Sequence, residues 1–115
     1  MAITEAYSLN AVTVGATELS IVSGTTTLQT ITTAGVYQLF VDASNMAKAD
    51  EFRIKIYETV RSGGTKRVLM AATLMGVQAE LYCSPSLILM NGWDMTLAKI
   101  AGTDRAFTAS IRKVA

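Results

Sequence analysis

From Glu51 to Glu58 the apolar residues Phe52, Ile54 and Ile56 alternate with charged or polar ones, the two-residue period of a strand with one wet face. Ser62-Gly63-Gly64-Thr65 follows, and glycines supply the positive φ values that a tight connection needs. Lys66 to Leu74 then returns with Val68, Met70, Ala72 and Leu74 on one side, so the pattern predicts a long central hairpin. The same grammar recurs near the end. Trp93, Met95 and Leu97 alternate with Asp94, Thr96 and Ala98, and Ala101-Gly102-Thr103-Asp104-Arg105 leads to Phe107, Ala109 and Ile111, a second predicted hairpin. Two strands alone are marginal in water, so further strands and a facing layer are required.

The remaining stretches supply them. Ala2 to Gly15 reads as an arm or edge strand with Tyr7, Leu9, Ala11, Thr13 and Gly15 on one side, able to close a sheet edge or reach a neighbouring subunit. Glu18–Ser23 and Leu28–Thr32 are expected as short strands around a Thr-rich turn, because the branched Cβ of Thr favours extended backbone. Val36 to Val41 is an apolar run between turn signals, with the character of a strand buried on both faces. Met46 to Asp50 has room for one helical turn, and Val77 to Tyr82 reads as extended. Pro85 excludes a central strand position, and Asn91-Gly92 marks a turn after Leu87–Met90. About eight or nine short strands without an amphipathic stretch of helical length predict an all-β, jelly-roll-like antiparallel β-sandwich. An immunoglobulin-like sandwich is the alternative, but no cysteine pair flanks Trp93.

Length and composition sharpen this picture. A chain of 115 residues suits one domain, read as an arm or edge strand over 1–14 and a sandwich over 15–115. Half the residues are hydrophobic and mean hydropathy is +0.35, a surplus that fits equally a subunit burying apolar surface against neighbours and a β-sandwich with many Ala and Val. The formal charge of +1 gathers neither nucleic acid nor an anionic membrane. No signal peptide is expected from Met1-Ala2-Ile3-Thr4-Glu5, and no apolar run approaches the roughly 20 residues of a membrane helix. Cys83, the sole cysteine, is expected as a small buried hydrophobe.

Candidate chemistry is sparse. Without histidine the commonest general base and metal ligand at neutral pH is missing, and Asp42, Asp50, Glu51, Glu58, Asp94 and Asp104 fall mainly at strand ends and turns. The expectation is a non-enzyme without cofactor or metal; the nearest approach to a calcium loop, Asp42–Asn45 with Asp50-Glu51, lacks glycine punctuation. Gly63-Gly64-Thr65-Lys66 opens a strand rather than a helix, unlike a phosphate loop. Trp93, Tyr7, Tyr37, Tyr57 and Tyr82 offer material for a sugar-stacking platform, with Tyr57 the best exposed candidate. The candidate interaction residues are Ile3, Tyr7 and Leu9 on the arm, Tyr57, and the basic hairpin tip Arg61, Lys66 and Arg67.

Four stretches carry a resemblance: Gly15 to Ser20; Gly35 to Asp42; Asp50 to Glu58 running on to Gly63-Gly64-Thr65; and Gly92 to Leu97 continuing through Ala101–Arg105 to Ser110-Ile111-Arg112. In that order and spacing, the chain resembles small virion structural proteins of tailed bacteriophages. The resemblance implies a non-enzymatic particle component, first of all a capsid decoration (cement) protein. Its implied partners are the major capsid protein or other virion proteins and further copies of itself as a trimer or dimer, and its implied place is the capsid surface after assembly in the host cytoplasm. A tail or head-to-tail connector component, or a glycan-binding head-fibre module, are the alternatives.

Overall fold

The computed structural model describes residues 2–114. Nine strands form two antiparallel sheets: β1 (Ile3–Val14), β2 (Leu19–Ser20), β3 (Gly35–Asp42), β4 (Glu51–Thr59), β5 (Lys66–Met75), β6 (Tyr82–Cys83), β7 (Leu87–Leu89), β8 (Asp94–Ala101) and β9 (Arg105–Val114). One sheet has the order β1-β9-β3-β6 with β7 also on β3, and the other has β2-β8-β4-β5. Because β6 and β7 lie along the same side of β3, they act as one strand broken around Pro85, and the order becomes that of an eight-stranded jelly roll. The chain is an all-β sandwich, as its patterning predicts.

The layers meet through the alternating residues. Phe52, Ile54 and Ile56 of β4 and Met95 and Leu97 of β8 face Leu39 and Val41 of β3 and Phe107 and Ile111 of β9, all buried. Trp93 anchors one end, its ring 4.4 Å from Tyr37 and 6.0 Å from Tyr7, while Phe52 and Phe107 meet edge-on at 4.7 Å. Trp93 Nε1 and the Tyr37 hydroxyl both donate to the Thr33 carbonyl, which satisfies the polar ends of two core aromatics.

Several expectations need correction. β8 and β9 are not a hairpin: the connection crosses from one sheet to the other around buried Asp50, which accepts from the backbone N–H of Ala47 and Thr103 and from Arg105 Nε. Gly102 sits against that carboxylate with φ +94°, where a Cβ would lie 2.2 Å from Asp50 Oδ1. Leu28–Thr32 holds only a bridge from Ile31 to Trp93, because the Gln29 backbone N–H donates to the Asp94 carboxylate and its carbonyl accepts from Lys66 Nζ, side-chain bonds that compete with a ladder. Met46–Asp50 is irregular rather than helical. β3 buries one face only: Tyr37, Leu39 and Val41 point inward, while Val36, Gln38 and Phe40 are half-buried on the other side. In β5 only Leu74 of the expected apolar face is buried; Met70 and Ala72 are half-buried, and Val68 is exposed beyond a bulge opposite Ile56/Tyr57.

β1 takes the edge position beside β9 and pairs with it along its length. The alternation expected for it holds only to Leu9. Ala11 has φ 52° within a register shift, and past it Val12 and Val14 turn inward in place of Ala11 and Thr13.

Candidate functional site

The two sheets differ in what lies on their outer sides. On the outer side of the four-stranded sheet, Asp94 and Thr96 are buried although they point away from the core. The chain's own segments on either side of β2 lie over them. Asp94 accepts from Ser20 Oγ, Gln29 N and Met95 N; Lys66 Nζ donates to the Gln29 carbonyl; and Glu18 accepts from both the Tyr57 hydroxyl and Thr96 Oγ1. Desolvation raises the Asp94 carboxyl above the usual range despite these donors. Burial, then the Glu18 hydrogen bond, pushes Tyr57 up to about 12.

The outer side of the five-stranded sheet carries no such cover among the described residues. Residues opposite one another across antiparallel strands share a face, so the register writes this surface out in rows. Ile3, Val114, Val36 and Ile88 form an apolar row across four strands, its two ends 72% and 78% exposed. Glu5, Arg112 and Gln38 form the next row, followed by Ser8, Ser110, Phe40 and Cys83, and then Thr108 with Asp42.

Phe40 and Arg112 stand at the centre. The guanidinium lies over the ring at 4.0 Å, and no carboxylate among the described residues is within ion-pairing distance of it. Two depressions of about 340 and 160 Å³ share Phe40 and Arg112 as a common wall. The larger adds Glu5, Asn10 and Asp42; the smaller is closed by Ile3, Val36 and Val114 of the apolar row. Glu5 accepts from Ser110 Oγ at 2.6 Å, and the Ser44 backbone N–H holds Asp42 below the usual carboxylate range. This surface combines an apolar strip, a stacked cation and two carboxylates.

Of the seven candidate interaction residues singled out from sequence, the structure brings only Ile3 to this face, where the candidate carboxylate Asp42 also lies. Leu9 is buried, and Tyr7 packs inward on Trp93. Tyr57 is half-buried and bonded to Glu18, with Lys66 over its ring at 5.6 Å. Arg61 and Arg67 are exposed at the hairpin tip, on the other sheet, so the seven do not form one site. The carboxylates do not converge either. Asp42 closes a turn, Asp50 holds the β8–β9 corner, Glu58 accepts from the backbone of Met90 and Asn91, and Asp104 pairs with Lys99.

Phe40, Gln38, Arg112 and Ile88 were missed by sequence reasoning, although the alternation of Val36, Gln38 and Phe40 with Tyr37, Leu39 and Val41 signals a second face. Cys83, expected in the core, is exposed beside Phe40, with its Sγ 3.1 Å from Gln38 Nε2. Its register places it on the outer side because Tyr82 takes the inward position.

No family model and no curated protein matches this chain. Among solved structures it is similar to Eiger TNF from S. frugiperda, at 19% identity and a TM-score of 0.42 over 74% of this chain and 62% of that one. It is similar also to the C-terminal family 22 carbohydrate-binding module of Clostridium thermocellum Xyn10B, at 17% identity and 0.43 over 73% and 57%. A third is a xylan-binding domain of carbohydrate-binding module family 22, at 15% identity and 0.42 over 85% and 64%. The chain spans less than two thirds of each of these three, and at such scores the likeness goes no further than the sandwich build.

Proposed function

We propose that this protein is a structural component of tailed-bacteriophage virions, a capsid decoration protein that docks on major capsid subunits through the outer face of its five-stranded sheet. The observation that supports this reading is the bare row Ile3–Val114–Val36–Ile88 beside Arg112. A contiguous apolar strip rimmed by polar groups is the kind of surface that a protein partner covers. Burying an exposed Ile side chain supplies about 2 kcal/mol, so each copy makes a modest contact. Many copies on a repeating shell add these contacts by avidity, with each copy bridging neighbouring subunits.

The test is copy number on purified particles, by quantitative gel or cryo-electron microscopy. Decoration predicts copies in the number of the shell's repeating sites. A small fixed number at one vertex would move the protein to a connector or tail role, and absence from particles would overturn the reading.

One observation favours a second reading, a glycan-binding module. The larger depression sets Phe40 among Glu5, Asn10, Asp42 and Arg112, a half-buried ring amid hydrogen-bonding groups of both kinds. Saturable binding in a glycan array, abolished by Phe40→Ala, would establish it in place of shell docking.

A further inference from the structure

The fold leaves four sheet edges, and three are blunted. β2 is two residues long; the β6–β7 edge is broken around Pro85; β1 has two register shifts, Glu5, and the left-handed Ala11. Short strands, proline, charge and bulges are the devices that keep an edge from pairing. β5 is the exception. It is ten residues long, its outer edge pairs with no strand among the described residues, and from Val68 to Ala79 the chain contains neither a charge nor a proline. Val68, Leu69, Met75 and Val77 are between 48% and 69% exposed along it. Its one irregularity, the bulge at Leu69, lies near the start, and only at its last residue is a carbonyl answered locally, where Gln78 Nε2 donates to Met75 O.

We infer that β5 is the seam of a twofold dimer, pairing antiparallel with β5 of a second copy so that the two four-stranded sheets become one of eight. A second copy fits because the strand's ends are of opposite charge. Arg61, Lys66 and Arg67 outnumber Glu58 at its start, while Glu51, paired with Met75, and Glu80 outnumber Arg53, paired with Thr73, towards its end. Antiparallel self-pairing sets the basic start of each strand over the acidic end of the other, and the contact is isologous and closes. It pairs the free backbone groups of the edge, sets the exposed apolar side chains of the two strands side by side, and leaves the outer face of the five-stranded sheet open. The inference stands on the edge itself and does not rest on the decoration reading.

The test is sedimentation together with cysteine cross-linking of the full chain in a Cys83→Ser background. The expected result is a mass twice that of the chain, with Ala71→Cys, near the strand's midpoint, oxidising to a disulfide-linked dimer. Arg67→Cys should not cross-link to its own copy, since antiparallel pairing separates the two by roughly 20 Å. Ala71→Lys sets like charges near the axis and should weaken association on the order of tenfold, whereas Thr108→Lys on the other sheet should leave it unchanged. A monomer at every concentration overturns the inference. So does a dimer that cross-links through Arg67→Cys but not Ala71→Cys, or one that is disrupted by Thr108→Lys and untouched by Ala71→Lys.

Discussion

The two outer faces of this sandwich are made from the same kind of strand and have opposite fates. Over the four-stranded sheet the chain folds back on itself, and the outward side chains of β8 are buried in a network that reaches Glu18, Ser20, Gln29, Tyr57 and Lys66. Over the five-stranded sheet nothing comparable lies among the described residues, and an apolar row and a stacked arginine meet solvent. The lesson is that outward polarity does not by itself mean solvent exposure here. The more polar face is buried and hydrogen-bonded by the chain itself, while the apolar row of the other stays exposed, the surface on which the docking proposal rests.

Substitutions can break this contrast, and the covered face should give the largest effects. Asp94→Ala leaves the Ser20 hydroxyl and two backbone N–H donors without their acceptor, and should cost about 3 kcal/mol in denaturant unfolding. A loss below about 0.5 kcal/mol would mean that the network is not structural.

Tyr57→Phe removes one bond to Glu18 and should cost about 1 kcal/mol. It also sharpens the comparison through pH. Because the folded phenol titrates at about 12 rather than 10.0, its contribution is present below pH 10 and is lost as pH rises towards 12. The variant should lack that part of the alkaline loss. At the other extreme, Asp50 is lowered from 3.8 to about 2, chiefly by the backbone N–H of Ala47 and Thr103. Its contribution is present above pH 3.8 and is lost as pH falls towards 2, so Asp50→Asn should flatten the acid limb of the stability profile.

The smallest effect on folding belongs to the open face. Ile88→Lys, at a residue 78% exposed, should change stability by less than about 0.5 kcal/mol while abolishing partner binding. Lys55→Ala on the opposite sheet should leave binding intact.

Much of the fold was legible in the sequence because single-face burial imposes a two-residue period, and Phe52/Ile54/Ile56 and Phe107/Ala109/Ile111 show it plainly. Other features depend on long-range partners. A turn between two alternating strands does not say whether the second lies beside the first or across the core, and Ala101–Arg105 crosses because Asp50, some fifty residues earlier, gathers its donors. The Thr-rich stretch carries strand propensity without a partner edge, and side-chain bonds claim its backbone instead. The parity change at Ala11 is invisible because a left-handed alanine leaves no compositional mark. The candidate face was less legible still. Its members are ordinary residues from β1, β3, β6, β7 and β9, assembled only by register, while exposed aromatics and basic tips drew attention elsewhere.

Cys83 offers the most direct test, since the chain's sole cysteine lies exposed on the open face beside Phe40. Its alkylation rate should be compared between the free protein and the protein bound to purified shells. Docking through the five-stranded sheet predicts rapid labelling when free and strong protection when bound. Equal labelling in both states, with the protein demonstrably on the shell, would contradict it.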